Sequence, residues 1–199
     1  IKQKCGSDYP ILIKISGDHD LGGNFYPEKF RNLIKFLNSK DIDAIEISYG
    51  TMDYAVNIFR GSVDYNMILK YNPLFKTNVK IMRLVNKFLI RKFLASKLIE
   101  FKPFYNLDYA KEAKKITDKP IISVGGFRTK DEIEWALENN FADMVSLSRP
   151  FIVEPDFVKK LIKSTGNYVS KCTNCNKCVY MCDSGEPTKC RSFISEKIN

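Results

Sequence analysis

Four short apolar runs recur along the chain, separated by segments with helical periodicity. Residues 10–16, PILIKIS, are β-branched and apolar with Lys14 as an interruption, and residues 44–48 read AIEIS. Residues 120–124, PIISV, and 143–148, DMVSLS, are the third and fourth runs. Runs of this length and composition predict buried strands. Between the first two lies YPEKFRNLIKFLNSK, where Phe30, Leu33, Ile34 and Leu37 share one helical face and Pro27 suits a first turn. LDYAKEAKKITDK places Tyr109, Ala110, Ala113 and Ile116 on one side, and Thr129 with Glu132 makes a capping-box pattern ahead of EIEWALENN. A last helix is predicted near Pro155 to Lys163. Strand–helix alternation of this kind predicts an α/β fold with a parallel sheet and outer helices. Doubly wound sheets and barrels both fit, and four such units are half of an eight-unit barrel.

The rhythm breaks over residues 51–107, an insertion that resists assignment. It contains IMRLVNKFLIRKFLASKLIE, a helical stretch with a broad apolar face. Its charges do not segregate to one side, so a core-packing or interface helix is expected in preference to a lid or a membrane-surface helix.

Composition adds three constraints. With 199 residues and 44% apolar content the chain suits a globular domain. Lys and Arg number 32 against 23 Asp and Glu, a net charge of +9. That excess can attract nucleic acid or an anionic cofactor. No base-reading motif accompanies it, so a solvated basic surface is expected and no nucleic-acid partner. The chain begins at Ile1 without a signal-peptide pattern, and its apolar runs are shorter than a membrane span. These features imply a start within a longer protein or after processing, a cytoplasmic location and no membrane partner. Five of the six cysteines fall between Cys172 and Cys190, which favours a metal site in a reducing compartment over a disulfide framework.

Lys14, Ser16, Ser48, Gly50, Gly125, Gly126 and Arg149 fall at strand ends, where barrel enzymes carry their chemistry. Gly125 and Gly126 follow an apolar strand and precede a capped helix, so bare backbone amides and a helix N-terminus can meet an anion there. Arg149, one strand later, offers a bidentate cation, and together they predict a phosphate site. The cysteines read Cys172-x2-Cys175-x2-Cys178, then Cys182 and Cys190. Such spacing suits a 4Fe–4S cluster, with tetrahedral zinc and free or disulfide-bonded cysteines as alternatives. His19 reads as an ordinary loop residue.

The stretches DYPILIKIS, IDAIEIS, KPIISVGGFRTKDEIE, ADMVSLSRPFIVEPD and SKCTNCNKC, in this order, resemble the C-terminal half of the NADH:flavin oxidoreductases related to old yellow enzyme. The resemblance implies residues 1–165 as the C-terminal half of an FMN-binding (β/α)8 barrel, with strands near 10–16, 44–48, 120–124 and 143–148, and residues 166–199 as a cysteine-rich segment. It implies that Lys14 faces the flavin ring. Gly125, Gly126 and Phe127 would bind the FMN phosphate through backbone, and Ser148 and Arg149 would stand where Gly-Arg is usual. Relatives carrying a cluster place the fourth ligand about a dozen residues after the third, which points to Cys190 with Cys182 as the alternative. The implied activity is NAD(P)H-dependent reduction of FMN and then of a small-molecule acceptor, and the open strand edges of a half-barrel predict a homo-oligomer. The substrate-binding and catalytic residues would belong to the other half of the barrel. A dihydrouridine-synthase-like FMN enzyme and a non-catalytic iron–sulfur module are the alternative readings.

Overall fold

The structure is a computed structural model that describes residues 1–18 and 27–192. His19 lies outside the described residues. The described chain divides into two compact units, the first comprising residues 1–58 and 102–147 and the second 59–101 and 148–199.

The first unit is built on strands β1 (Leu12–Ser16), β2 (Ala44–Ser48), β3 (Ile121–Val124) and β4 (Met144–Ser146). All three pairings are parallel, and the order β1-β2-β3-β4 follows the chain. Helix α1 (Lys2–Cys5) precedes β1, and α2 (Pro27–Asn38) crosses from β1 to β2. Helix α3 (Ala55–Phe59) ends this stretch of the unit. After the second unit's insertion, helix α6 (Leu107–Lys114) leads into β3, and α7 (Lys130–Glu138) joins β3 to β4.

One sheet face holds Ile45, Ile47 and Ile121, all fully buried, against Phe30, Ile34 and Leu37 of α2 and Leu107, Ala110 and Ala113 of α6. Amphipathic helices with an i, i+3, i+4 apolar stripe bury that stripe on such a surface. The opposite face carries the cross-strand row Lys14, Glu46, Ile122 and Met144. Leu12 and Met144 on this face are 58% and 45% exposed, whereas a parallel sheet is ordinarily covered on both sides.

Two strand starts repeat one device. In IDAIEIS and ADMVSLS an aspartate precedes the strand, and its carboxylate accepts the backbone N–H of the preceding neighbour in the sheet, Asp43 from Ile11 at 2.7 Å and Asp143 from Ile121 at 2.8 Å. Each aspartate's own N–H donates back to the same residue's carbonyl. Register is thereby fixed at the strand's first residue.

The second unit contains α4 (Tyr65–Tyr71), α5 (Lys80–Ala95), α8 (Arg149–Val153), α9 (Phe157–Lys163) and α10 (Lys177–Tyr180). Asp64 caps α4 by accepting the N–H groups of Asn66 and Met67. Ile68, Leu69 and Ile90 form a small core with Val63, Tyr65, Phe75, Leu94 and Tyr180 around it.

Glu154 ends α8 at 2% exposure and accepts hydrogen bonds from Tyr168 Oη, Ser170 Oγ, the Lys171 N–H and Lys160 Nζ. It thus ties the chain leading into Cys172 to the helix behind Arg149. Burial pushes the carboxyl's pKa up, but the bonds from Tyr168, Lys171 and Lys160 outweigh it and hold the pKa below the ordinary value of 4.5. A depressed folded pKa contributes stability above the unfolded value that is lost as the pH falls through the folded one. We therefore expect denaturant stability to decline below about pH 4.5 through this group, and Glu154→Gln to flatten that part of the acid profile while costing about 2 kcal/mol at neutral pH.

Several expected boundaries shift. The first strand begins at Leu12, because residues before it pair through Asp43 as a loop. The fourth strand stops at Ser146 and does not reach 148, where α8 begins under Ser148 as its N-cap. The helix predicted over 107–119 ends at Lys114, and Thr117 Oγ1 then accepts the Lys119 N–H in a turn before Pro120. The insertion does not stand apart: residues 59–101 form one unit with the cysteine-rich segment, so the units divide elsewhere than at residue 165. Among the described residues no helix is long and apolar enough to cross a membrane.

Candidate functional site

The glycine pair sits where the sequence places it, directly after β3. Gly125 has φ +122° and Gly126 φ +87°, both in the region that disfavours any side chain. A Cβ on Gly125 would stand 2.6 Å from the Tyr105 ring, and one on Gly126 2.5 Å from the Phe104 nitrogen and 2.8 Å from the Lys102 carbonyl oxygen. The glycines are therefore required first by the chain's own turn and by the loop 102–106 packed beneath it. Asn106 holds that loop by donating to the Val124 carbonyl, and Tyr105 Oη donates to the Ile58 carbonyl at 2.8 Å.

The backbone here still has donors to offer. Among the described residues the N–H groups of Gly125, Gly126 and Phe127 donate to no protein acceptor. The Phe127 side chain is fully buried in the core and fixes the loop's exit. Just beyond it, Thr129 Oγ1 accepts the Glu132 N–H at 3.1 Å, and Glu132 Oε2 accepts the N–H groups of Arg128 and Thr129 at 2.7 and 3.0 Å. The capping box is present as predicted, and it consumes donors that the sequence reading had assigned to an anion. Three consecutive unsatisfied amides in the glycine turn remain, an arrangement that fits a phosphate. Buried beside them, Asn106 Oδ1 and Ser123 Oγ have no partner among the described residues.

Lys14 lies mid-strand on the open sheet face, 58% exposed along its side chain, with Nζ 2.7 Å from Glu46 Oε1. Glu46 is a residue the sequence reading missed. The signal was available, since Lys14 and Glu46 are each the third residue of consecutive parallel strands and hence share a face. The tips of those strands are tied together: Ser16 Oγ donates to the Gly50 carbonyl at 2.7 Å, Gly17 N–H to Ser48, and Gly50 N–H to Asp18.

Ser148 and Arg149 belong to the second unit. Arg149 is 7% exposed, and its guanidinium donates to the carbonyls of Phe59 and Arg60 and, at 2.6 Å, to Asn176 Oδ1. Three of its five N–H donors are thus used within this unit. Asn176 is the second missed residue. It lies between Cys175 and Cys178, has φ 57°, and pairs with Arg149 through its oxygen while its amide donates to Arg60 and Ser62 carbonyls. Asn174, two residues earlier, has φ 56°, and its carbonyl accepts the Ser62 N–H at 3.0 Å. Asparagine tolerates the left-handed region, so the two Asn residues of CTNCNKC let the chain turn twice between cysteines.

Cys172, Cys175, Cys178 and Cys190 line one small cavity with Arg149, Asn176 and Ser192. Cys182 is exposed and not part of that wall, its sulfur lying near the Cys178 carbonyl and Thr188 Oγ1. All the cysteines are free thiols. Burial pushes the Cys178 thiol up to about 11, with the neighbouring Cys172, Cys175 and Cys190 adding to the shift and Arg149 opposing it. Cys175 is also penalised by burial, but hydrogen bonds from Ser192, the Lys177 N–H and Thr173 bring its pKa below the ordinary thiol value. As placed, no three His, Cys, Asp or Glu side chains among the described residues converge on a metal ion. The donor set itself, four soft sulfurs around one cavity, fits an iron–sulfur cluster or zinc in kind.

Residues 89–167 match the model of the NADH:flavin oxidoreductase / NADH oxidase family. An NADH oxidase from Thermoanaerobacter brockii is 23% identical over 176 residues, covering 88% of this chain and 21% of its own length. A 4,4'-dithiodibutanoate disulfide reductase from Rhodococcus erythropolis is 28% identical over 184 residues, covering 90% of this chain and 42% of its own. The structure of an old yellow enzyme homologue from Zymomonas mobilis is 18% identical, with 82% of this chain and 34% of that one covered at a TM-score of 0.42. The chain thus spans about a fifth to two fifths of the length of these proteins.

Proposed function

We propose that this chain, kin to the NADH:flavin oxidoreductases over its matched segment, carries the FMN-phosphate end of an NAD(P)H-dependent flavin oxidoreductase. The observation that carries this reading is the row of unsatisfied amides at Gly125, Gly126 and Phe127, at the C-terminal end of a central strand. In this reading the four strands are the C-terminal half of a (β/α)8 barrel, and the row Lys14, Glu46, Ile122 and Met144 looks into its interior. Sequential strand order and the exposure of Leu12 and Met144 on this face support it. β1 and β4 are edge strands here, and unpaired edges favour pairing with further strands, from the chain's own continuation or from a second copy in a homo-oligomer.

FMN, when bound, supplies the two-electron centre that accepts hydride from NAD(P)H and passes it to a small-molecule acceptor. The chain's own residues position it. Gly125, Gly126 and Phe127 hold the phosphate by backbone, while Ser148 and Arg149 are assigned to it by the sequence resemblance alone. Lys14, steered by Glu46, offers a cation to negative charge on the reduced ring. Cys172, Cys175, Cys178 and Cys190 hold a 4Fe–4S cluster, which supplies one-electron transfer when present. The reading expects that anaerobically purified protein shows flavin absorption that NADH or NADPH bleaches. A flavin that neither nucleotide reduces, or protein without flavin even after reconstitution with FMN, contradicts it.

A further inference from the structure

Helix α5 leaves most of its surface outside any core. Only Ile90 is buried, packed with Leu94 against Ile68 and Leu69. On the other side, Ile81, Leu84, Val85, Phe88 and Leu89 follow the i, i+3, i+4, i+7 spacing of one helical stripe. Ile81, Leu84 and Phe88 are 76%, 69% and 66% exposed. The sequence reading expected this helix to pack into a core or interface, and within the chain it does so by one narrow edge.

The charge around the stripe is of one sign. Residues 65–99 contain Lys70, Lys76, Lys80, Arg83, Lys87, Arg91, Lys92 and Lys97 and no aspartate or glutamate. Those eight cations against no acid nearly equal the chain's whole net charge of +9. On α5 itself Lys80, Arg83, Arg91 and Lys92 are all exposed. A second copy of α5 would bring like charges together and is disfavoured. A nucleic acid would satisfy the cations but leave bulky Ile, Leu and Phe side chains unmatched. An anionic lipid surface satisfies both, because aliphatic and aromatic side chains enter the acyl boundary while flanking Lys and Arg reach the headgroups.

We propose that α5 is a peripheral membrane-docking helix, laying the Ile81, Leu84, Val85, Phe88 and Leu89 stripe into the interface of an anionic bilayer with its cations on the headgroups. Such docking needs no spanning segment and no pocket. It would hold the protein against a surface where apolar or membrane-dissolved acceptors concentrate.

The test is partitioning of the purified full chain to vesicles of phosphatidylcholine with and without phosphatidylglycerol. Binding is expected only to the anionic vesicles and falls with added salt. The pair Leu84→Ser and Phe88→Ser, both at exposed positions, is expected to remove binding without changing the circular dichroism. Lys80→Gln and Arg91→Gln, at the edge of the stripe, should each weaken it roughly fivefold, the effect of one headgroup cation. Absence of partitioning, equal binding to neutral vesicles, or binding indifferent to both sets of variants overturns the proposal. So does a concentration-dependent dimer that Phe88→Ser abolishes, which assigns the stripe to a second copy.

Discussion

Gly61→Ala is expected to disrupt the cysteine-lined cavity more severely than any single cysteine replacement. Gly61 has φ +130°, and a Cβ there would stand 2.3 Å from the carbonyl oxygen of Asn174. The obstacle is backbone, which cannot swing aside as a side chain can. The same carbonyl accepts the Ser62 N–H, and a Cβ would also come within 3.2 Å of Asn176 Nδ2, so relief in either direction breaks a bond that holds the Cys172–Cys178 loop. Left-handed strain and the displaced loop together should cost about 3–5 kcal/mol. Urea unfolding of the second unit's signal measures it, and iron binding should fall with it. Gly166→Ala is the control, since a Cβ there meets nothing within 4 Å. Near-equal effects of the two substitutions would show that the Asn174 carbonyl is not the constraint.

The second large effect separates Cys190 from Cys182. Cys190 lines the cavity with Cys172, Cys175 and Cys178, whereas Cys182 is exposed and outside that lining. A cluster loses most of its stability with one of four thiolates, because metal affinity in such sites is also folding free energy. With the proposed cluster at this cavity, Cys190→Ser should therefore abolish retained iron and sulfide in anaerobically prepared protein, and Cys182→Ser should leave at least most of it. Equal loss in both would mean a different ligand set.

The elements that hydrophobic periodicity controls were legible. β2 falls on the predicted residues, α2 buries Phe30, Ile34 and Leu37 of the predicted stripe, and Thr129 and Glu132 close the predicted capping box. The likeness of residues 89–167 to the NADH:flavin oxidoreductase model was legible from motif order. What escaped was every feature set by tertiary contact. Glycines 125 and 126 were read as room for a ligand, and their nearest need is the packing of Phe104 and Tyr105. Arg149 was read as a phosphate cation, and its position in sequence gave no sign that Phe59, Arg60 and Asn176 would claim three of its donors. The 51–107 segment looked like an unplaced insertion because most of it, residues 59–101, folds with the chain after Ser148 and not with its neighbours in sequence.

The measurement that bears most directly on the account is flavin titration of the chain with FMN and with riboflavin, which differ only in the phosphate. The glycine-turn amides make contacts to the phosphate alone, each charge-assisted bond contributing about 1.5–3 kcal/mol. The account predicts that FMN binds at least about tenfold more tightly than riboflavin, with the difference lost in Gly126→Ala. Equal affinity for the two flavins, or a preference that survives Gly126→Ala, would contradict a phosphate site in the turn at Gly125–Phe127.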